Sequence, residues 1–370
     1  MSPSRRDFLH TSIATGGALG LGMFIRPSTY FGKIPRAQKP LRILILGGTG
    51  FIGPHQVRYA VSRGHTVTLF NRGRTNPHLF PDLEKLRGDR DGDLEALKDR
   101  EWDAVIDNSG YVPRIVRQSA QLLKDAVNQY LFVSSISAYA SFGEVDMDET
   151  APLATMDDPT LENIRRYYGP LKALCEQQVR EAFPDRATIV RPGLIAGPGD
   201  RTDRFTYWPA RIDRGGEVLA PGDPTDPVQL IDVRDVTGWM VRLLEQSDAG
   251  VYNAVGPEAR LSIAEMLYGI RAVTNANVSF TWVDADFLAE QGLRPTVWTP
   301  PRGRTAGLGL VSRDRAMAKG LTYLSLAVTA KDTLDWHKSR TEEEQSRLNA
   351  RLSSDRETEV LEAWHARAGA

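Results

Sequence analysis

The chain has 370 residues, 41% apolar and 25% charged, with 32 glycines and 22 prolines. That composition supports a large buried core and excludes disordered and fibrous classes. Its 46 basic and 47 acidic residues give a net charge of −1, which excludes a general electrostatic binder of nucleic acid, and its single cysteine, Cys175, excludes an intramolecular disulfide.

Residues 4–10, SRRDFLH, precede a mostly apolar, glycine-rich stretch over 11–25 that stops at Arg26-Pro27. A basic start and a short apolar run is the layout of a targeting segment. At about 15 residues the run is too short for a spanning helix. Arg5 and Arg6, with Phe8 and Leu9 after them, resemble a bacterial twin-arginine export signal; a frayed amphipathic terminus is the plainer alternative. The resemblance implies the twin-arginine export machinery as a partner and a periplasmic or exported protein, anchored if residues 1–38 stay attached. Ala37 is a weak candidate cleavage position. Without residues 1–38 the chain carries 41 basic and 46 acidic residues, a net −5.

Residues 41–46 form a compact apolar run broken by glycines, as in a buried parallel strand. A helix follows to about Ser62, then strands are predicted over 66–70, 104–107, 129–134 and 188–190, with helices between them over 115–127 and 168–182. This alternation predicts an α/β fold with a doubly wound parallel sheet of the Rossmann type, occupying residues 39–195. After Arg191 the pattern loosens into Gly/Pro-rich loops at 197–200 and 221–227. Residues 196–340 are read as a smaller C-terminal substrate lobe with returning sheet elements. Residues 341–370 are highly charged, with Leu348, Leu352, Leu361 and Trp364 at helical spacing. They predict a solvated helix packing one stripe, with a homodimer contact as the alternative.

The first strand runs into GGTGFIG, residues 47–53. Gly47 permits a tight turn, Gly50 lets backbone approach a pyrophosphate, and Gly53 lets helix and strand pack closely. Gly47, Thr49, Gly50, Phe51, Ile52 and Gly53 are therefore candidate cofactor-binding residues. The second strand ends at Asn71-Arg72-Gly73-Arg74, where an NAD-specific protein usually carries a carboxylate. An arginine there can meet a 2′-phosphate, which favours NADP over NAD, although Arg72 and Arg74 also read as surface charges. Asp89, in GDRDGD, is placed where its carboxylate could accept the adenine amino group, with Arg90 beside it as a further candidate cofactor-binding residue, or the run is a solvated turn.

Tyr168 and Lys172 stand four apart at the start of a predicted helix and so share one face. An ammonium beside a phenol depresses its pKa toward proton exchange with a substrate hydroxyl. About 30 residues earlier a strand ends in Phe132-Val133-Ser134-Ser135 and delivers a serine to the same end of the sheet. A buried tyrosine with a snorkelling lysine is the plain alternative.

Together GGTGFIG, GDR at 88–90, DNSG at 107–110, SSISAY at 134–139, YGPLK at 168–172, RPGLIAGPGD at 191–200 and IDVRDV at 231–236 resemble the extended short-chain dehydrogenase/reductase family, in its epimerase and dehydratase branch. The likeness covers about residues 41–336. It implies Ser135 as the catalytic serine, Tyr168 as acid/base and Lys172 as a holder of the nicotinamide ribose. It also implies that Asn108, Ser109 and Gly110 line the cofactor and that Pro192 lies near the nicotinamide. Two positions depart from the sugar-nucleotide pattern: Leu194 stands for an asparagine, and Val228 for an arginine used on a diphosphate. The expectation is an NAD(P)-dependent oxidoreductase of the epimerase/dehydratase type, acting on a sugar-like or small alcohol substrate with retained cofactor and no metal. The alternatives are an NADP-linked reductase of a small carbonyl compound and an RNA-binding member of an atypical branch.

Overall fold

A computed structural model describes residues 34–348 and 352–368. The twin-arginine segment lies almost wholly outside the described residues. Of its last positions, Ala37 is buried and its amide donates to the Arg63 carbonyl at 2.8 Å. Residues 36–370 cluster as one unit.

Seven parallel strands form the central sheet: β1 (Arg42–Leu46), β2 (Thr66–Asn71), β3 (Glu84–Arg87), β4 (Trp102–Asp107), β5 (Val127–Val133), β6 (Ala187–Pro192) and β8 (Gly250–Ala254), after β7 (Gly216–Pro221) in the lobe. Their order is β8-β6-β5-β4-β1-β2-β3. The chain winds outward from β1 through β2 to β3, then returns to β4 on the other side of β1. This reversal opens a crevice at the carboxyl ends of β1 and β4.

Successive residues of β1 serve opposite faces, as the strand pleat requires. Ile43 and Ile45 pack with Val57 and Trp239 under α1 (Gly53–Ser62) and α5 (Val233–Glu245). Leu44 and Leu46 pack with Val116, Phe132 and Val179 under α2 (Pro113–Leu123) and α3 (Ile164–Ala182). These four side chains of β1 are fully buried, each contributing roughly 1.5–3 kcal/mol of apolar burial, while Arg42 at its start is exposed.

Two strands lacked a clear sequence signal. Edge strand β3 reads Glu-Lys-Leu-Arg and is half solvated, so it shows no apolar run. β8 returns to the sheet from within the lobe and pairs with β6. The second predicted helix ends at Leu123, and Val127 opens β5 instead.

The lobe has its own core, with Trp208 of α4 (Tyr207–Asp213), Leu219 of β7, Leu267 of α6 (Ile263–Arg271) and Val283 of β9 (Val278–Val283). The C-terminal helix α8 (Ser354–Ala368), which follows α7 (Leu326–Lys338), packs Val360 and Leu361 into that core. Its buried Glu357 pairs with Arg211 at 2.5 Å and accepts the Leu219 amide at 3.0 Å. The helix is thereby an integral part of the lobe.

Candidate active site

A cleft of about 530 Å³ occupies the crevice above β1 and β4. Its floor is the glycine loop. A Cβ on Gly53 would fall 2.5 Å from the Gly48 backbone, so α1 can begin this close to the loop only with glycine there. The helix starts with no side chain capping its N-terminus and no acidic residue in its first turn. Its first amides and the positive end of its dipole are left for an anion.

Three observations fit a dinucleotide. The α1 N-terminus is uncapped. A Cβ on Gly50 would meet no protein atom within 4 Å, so it would project into the space left for the ligand. The Asn108 amide donates to Gln56 at 2.6 Å, while its buried Oδ1 has no partner. The residues present therefore fit a pyrophosphate and an adjoining donor group.

Ser135, Tyr168 and Lys172 converge on this cleft. Ser135 follows β5 and caps the short turn after it, its Oγ accepting the Ser137 amide at 3.1 Å. Tyr168 lies one residue beyond a break in α3 at Tyr167 (φ −118°, ψ 29°). The break precedes Pro170, which has no N–H to continue the helical ladder. Tyr168 is therefore carried at the start of a fresh helical segment, against Tyr111 with ring centroids 6.4 Å apart.

The electrostatics of Tyr168 differ from the sequence expectation. Burial raises its pKa, opposed by the Ser135 hydroxyl and Arg204; Lys172 is not among the groups that move it. The Lys172 Nζ donates instead to the carbonyls of Gly110 (2.7 Å) and Val133 (2.8 Å). It sits 4.7 Å from the Tyr111 ring centroid and 4.8 Å from that of Phe132. Desolvation lowers its pKa to about 8. In this structure the ammonium ties the ends of β4 and β5 together as well as lining the cleft.

A buried ionic network underlies the serine. Ser134 donates to Glu176 Oε1 at 2.5 Å, and Arg191 grips both Glu176 oxygens at 3.0 and 2.6 Å. Arg191 also donates to the Tyr139 hydroxyl at 3.0 Å, which donates to Asn253 at 2.7 Å. The network links β5, α3, β6 and β8 directly behind Ser135.

Gly47, Gly50, Phe51, Ile52, Gly53, Asn108, Ser109 and Pro192 line the cleft with Ser135, Tyr168 and Lys172. Six residues read as cofactor-binding stand elsewhere. Buried Thr49 presents its carbonyl to Asn76 at 2.8 Å. Asn71 holds the glycine loop, donating to the Gly47 carbonyl at 2.9 Å and accepting the Gly73 amide at 2.8 Å. Arg72 and Asp89 form a loose, exposed pair at 3.8 Å. Arg90 is buried on Asp107 at 2.6 and 2.8 Å and on Ser119 at 2.6 Å, leaving its guanidinium committed to the protein interior. Gly110 contributes its carbonyl to Lys172, and its missing side chain admits Phe132, which would be 2.2 Å from a Cβ. Conversely, Tyr111, Ser137, Asp200, Thr202 and Arg204 line the cleft without having been singled out. The GPGD turn at 197–200, which contains Asp200 and is followed by Thr202 and Arg204, is the signal that could have pointed toward the last three.

The sequence model described as the NAD dependent epimerase/dehydratase family matches residues 43–255, more than half of the chain. The chain is 28% identical over 270 residues to dTDP-4-dehydro-6-deoxy-D-allose reductase of Streptomyces bikiniensis, covering 62% of this chain and 80% of that protein. It is 26% identical over 238 residues to the chloroplast stem-loop binding protein of 41 kDa b of Arabidopsis thaliana, spanning 60% of each chain. With 2-alkyl-3-oxoalkanoate reductase of Stenotrophomonas maltophilia it shares 29% identity over 207 residues, 51% of this chain and 60% of that one. Among solved structures, the Bordetella bronchiseptica enzyme WbmH in complex with NAD+ superposes with a TM-score of 0.60 at 15% identity, covering 81% of this chain and 99% of that one.

Proposed function

The chain belongs to the NAD dependent epimerase/dehydratase family, and from that premise we propose that it is an exported oxidoreductase that keeps its nucleotide through turnover. The reaction is of the epimerase or dehydratase type, on a hydroxyl of a sugar-like or small alcohol substrate. The carrying observation is that Ser135, Tyr168 and Lys172 enter the same cleft as the uncapped α1 N-terminus and the glycine loop. A bound nicotinamide dinucleotide supplies a hydride acceptor that becomes the donor. The chain's own residues do the rest. The glycine loop and α1 would hold the pyrophosphate, and the unpartnered Asn108 Oδ1 would accept a hydrogen bond from the cofactor. Ser135 Oγ orients the substrate oxygen, and Tyr168 Oη takes its proton and later returns it. Lys172 fixes the strand ends between which these groups stand.

Arg72 supports NADP over NAD, and Arg87 strengthens the case: it lies in register with Asn71, and its Nε stands 3.1 Å from where a Gly73 Cβ would be. The twin-arginine segment supports retention, because a folded protein can carry its cofactor across the membrane. The test is to denature the purified protein and identify any released nucleotide. Bound NADP or NAD is expected; a protein that carries none and takes up neither on soaking removes the reading.

A second reading, an NADP-linked reductase of a small carbonyl compound, is favoured by the likeness to 2-alkyl-3-oxoalkanoate reductase. Net NADPH consumption stoichiometric with product selects it. The likeness to a stem-loop binding protein supports an RNA-binding role, against which stand the complete Ser135, Tyr168 and Lys172 set and the −5 charge of residues 39–370. Salt-dependent RNA binding would restore that role.

A further inference from the structure

The cleft adjoins a second chamber of about 250 Å³, and the two share Ile136, Gly193, Leu194 and Arg204. Leu194 and Val228, the two departures from the sugar-nucleotide pattern, both stand in its wall. Trp298, Val297 and Leu308 extend the apolar surface. The lining holds two cations, Arg204 and Arg294, and no carboxylate. Arg204 donates from Nε to Thr202 Oγ1 at 3.1 Å, which leaves its Nη groups without a hydrogen-bond partner among the described residues; Arg294 has no hydrogen-bond or ion-pair partner among them. The buried Thr296 Oγ1, in the same wall, is likewise without a partner. Gln229 is not available to a ligand, since its amide is spent on Val311 at 2.9 and 3.2 Å.

We propose that this chamber receives the anionic end of a substrate without a nucleotide, a hydroxy or oxo acid with an apolar body, with Arg204 and Arg294 as its counter-charges. The proposal rests on the reading of the adjoining cleft as the site of hydride and proton exchange. A guanidinium fork matches a carboxylate in two parallel hydrogen bonds. Two cations with no carboxylate in the chamber's own lining, Asp200 standing in the adjoining cleft with Arg204, disfavour a cationic ligand and leave a neutral one without its strongest contacts. A nucleotide would set ribose hydroxyls and phosphates against Leu194 and Val228, which offer no donor, whereas an alkyl body is at home there.

The test uses full-length protein saturated with the nucleotide it retains. Binding of 3-hydroxyhexanoate, its methyl ester, glucose 1-phosphate and UDP-glucose is followed by tryptophan fluorescence and thermal shift. The acid is expected to bind at least tenfold more tightly than the ester and more tightly than either phosphate compound. Arg204→Gln and Arg294→Gln are each expected to weaken the acid by about 10- to 100-fold and to leave the ester unchanged. Arg294→Lys is expected to recover part of the loss. Equal affinity for acid and ester overturns the proposal, as does a preference for glucose 1-phosphate or UDP-glucose. Nucleotide binding, read separately from NADPH fluorescence, divides the failures: its absence in the wild type refutes the cleft reading, whereas nucleotide binding without acid preference refutes only the anionic chamber.

Discussion

The cleft and the chamber beside it share four wall residues, yet their sequence logic is opposite. Around the cleft each required group sits in a recognisable motif: glycine loop, Ser-Ser after β5, Tyr-x-x-x-Lys on α3. Around the chamber the positions that would hold a sugar nucleotide are Leu194 and Val228, and the cations come from Arg204 and Arg294, in loops with no motif. On the proposed reading the proton-transfer groups are dictated by the reaction and are independent of the rest of the substrate. On the same reading the chamber answers chiefly to substrate shape and charge, and it lies mainly in the lobe, apart from the strands of the central sheet.

Four experiments press on that difference. Tyr168→Phe is expected to lower kcat by about 10²- to 10⁴-fold, the usual contribution of a positioned acid/base, while nucleotide affinity holds; unchanged turnover would detach the cleft from the chemistry. Glu176→Ala leaves Arg191 buried without its carboxylate and is expected to cost about 3–5 kcal/mol in urea unfolding, with nothing comparable from an Arg294 substitution.

The third concerns Lys172, whose folded pKa of about 8 lies below its ordinary value of 10.5. Between those values the unfolded chain binds the proton and the folded one does not, so this group's contribution to stability rises with pH. The stability of the wild type relative to Lys172→Met should therefore increase from pH 8 toward 10.5, by at most about 3 kcal/mol; a pH-independent difference would show that burial leaves this amine unperturbed. The smallest effect is expected from Arg72→Gln, with a loss of about tenfold in NADP affinity and little change for NAD. Equal loss for both would make Arg72 a general surface charge.

The alternation of apolar runs with helix-length segments foretold the parallel sheet, because a strand buried on both faces must be apolar throughout. β3 escaped because an edge strand half in water needs no such run. GGTGFIG foretold the cleft floor because Gly53 answers a local steric demand set by the turn itself. Arg90 was misplaced for the converse reason: its partners Asp107 and Ser119 lie 17 and 29 residues away, and no local pattern announces which charge will be buried on which. Lys172 shows the same division within one residue. Its spacing from Tyr168 placed it in the cleft, but its bonds to Gly110 and Val133 depend on how β4 and β5 end beside α3.

By itself the sequence determined the doubly wound sheet, the glycine loop and the meeting of Ser135, Tyr168 and Lys172 in one cleft, since each follows from short-range periodicity or from residue types at fixed spacing. Only the tertiary structure decided that Leu194, Val228, Arg204 and Arg294 share one chamber, that Ser134, Glu176, Arg191 and Tyr139 form one buried network behind Ser135, and that the charged C-terminal helix closes the core of the lobe. These contacts join residues from 15 to more than a hundred positions apart, and the packing of the whole chain, rather than any local preference, selects them.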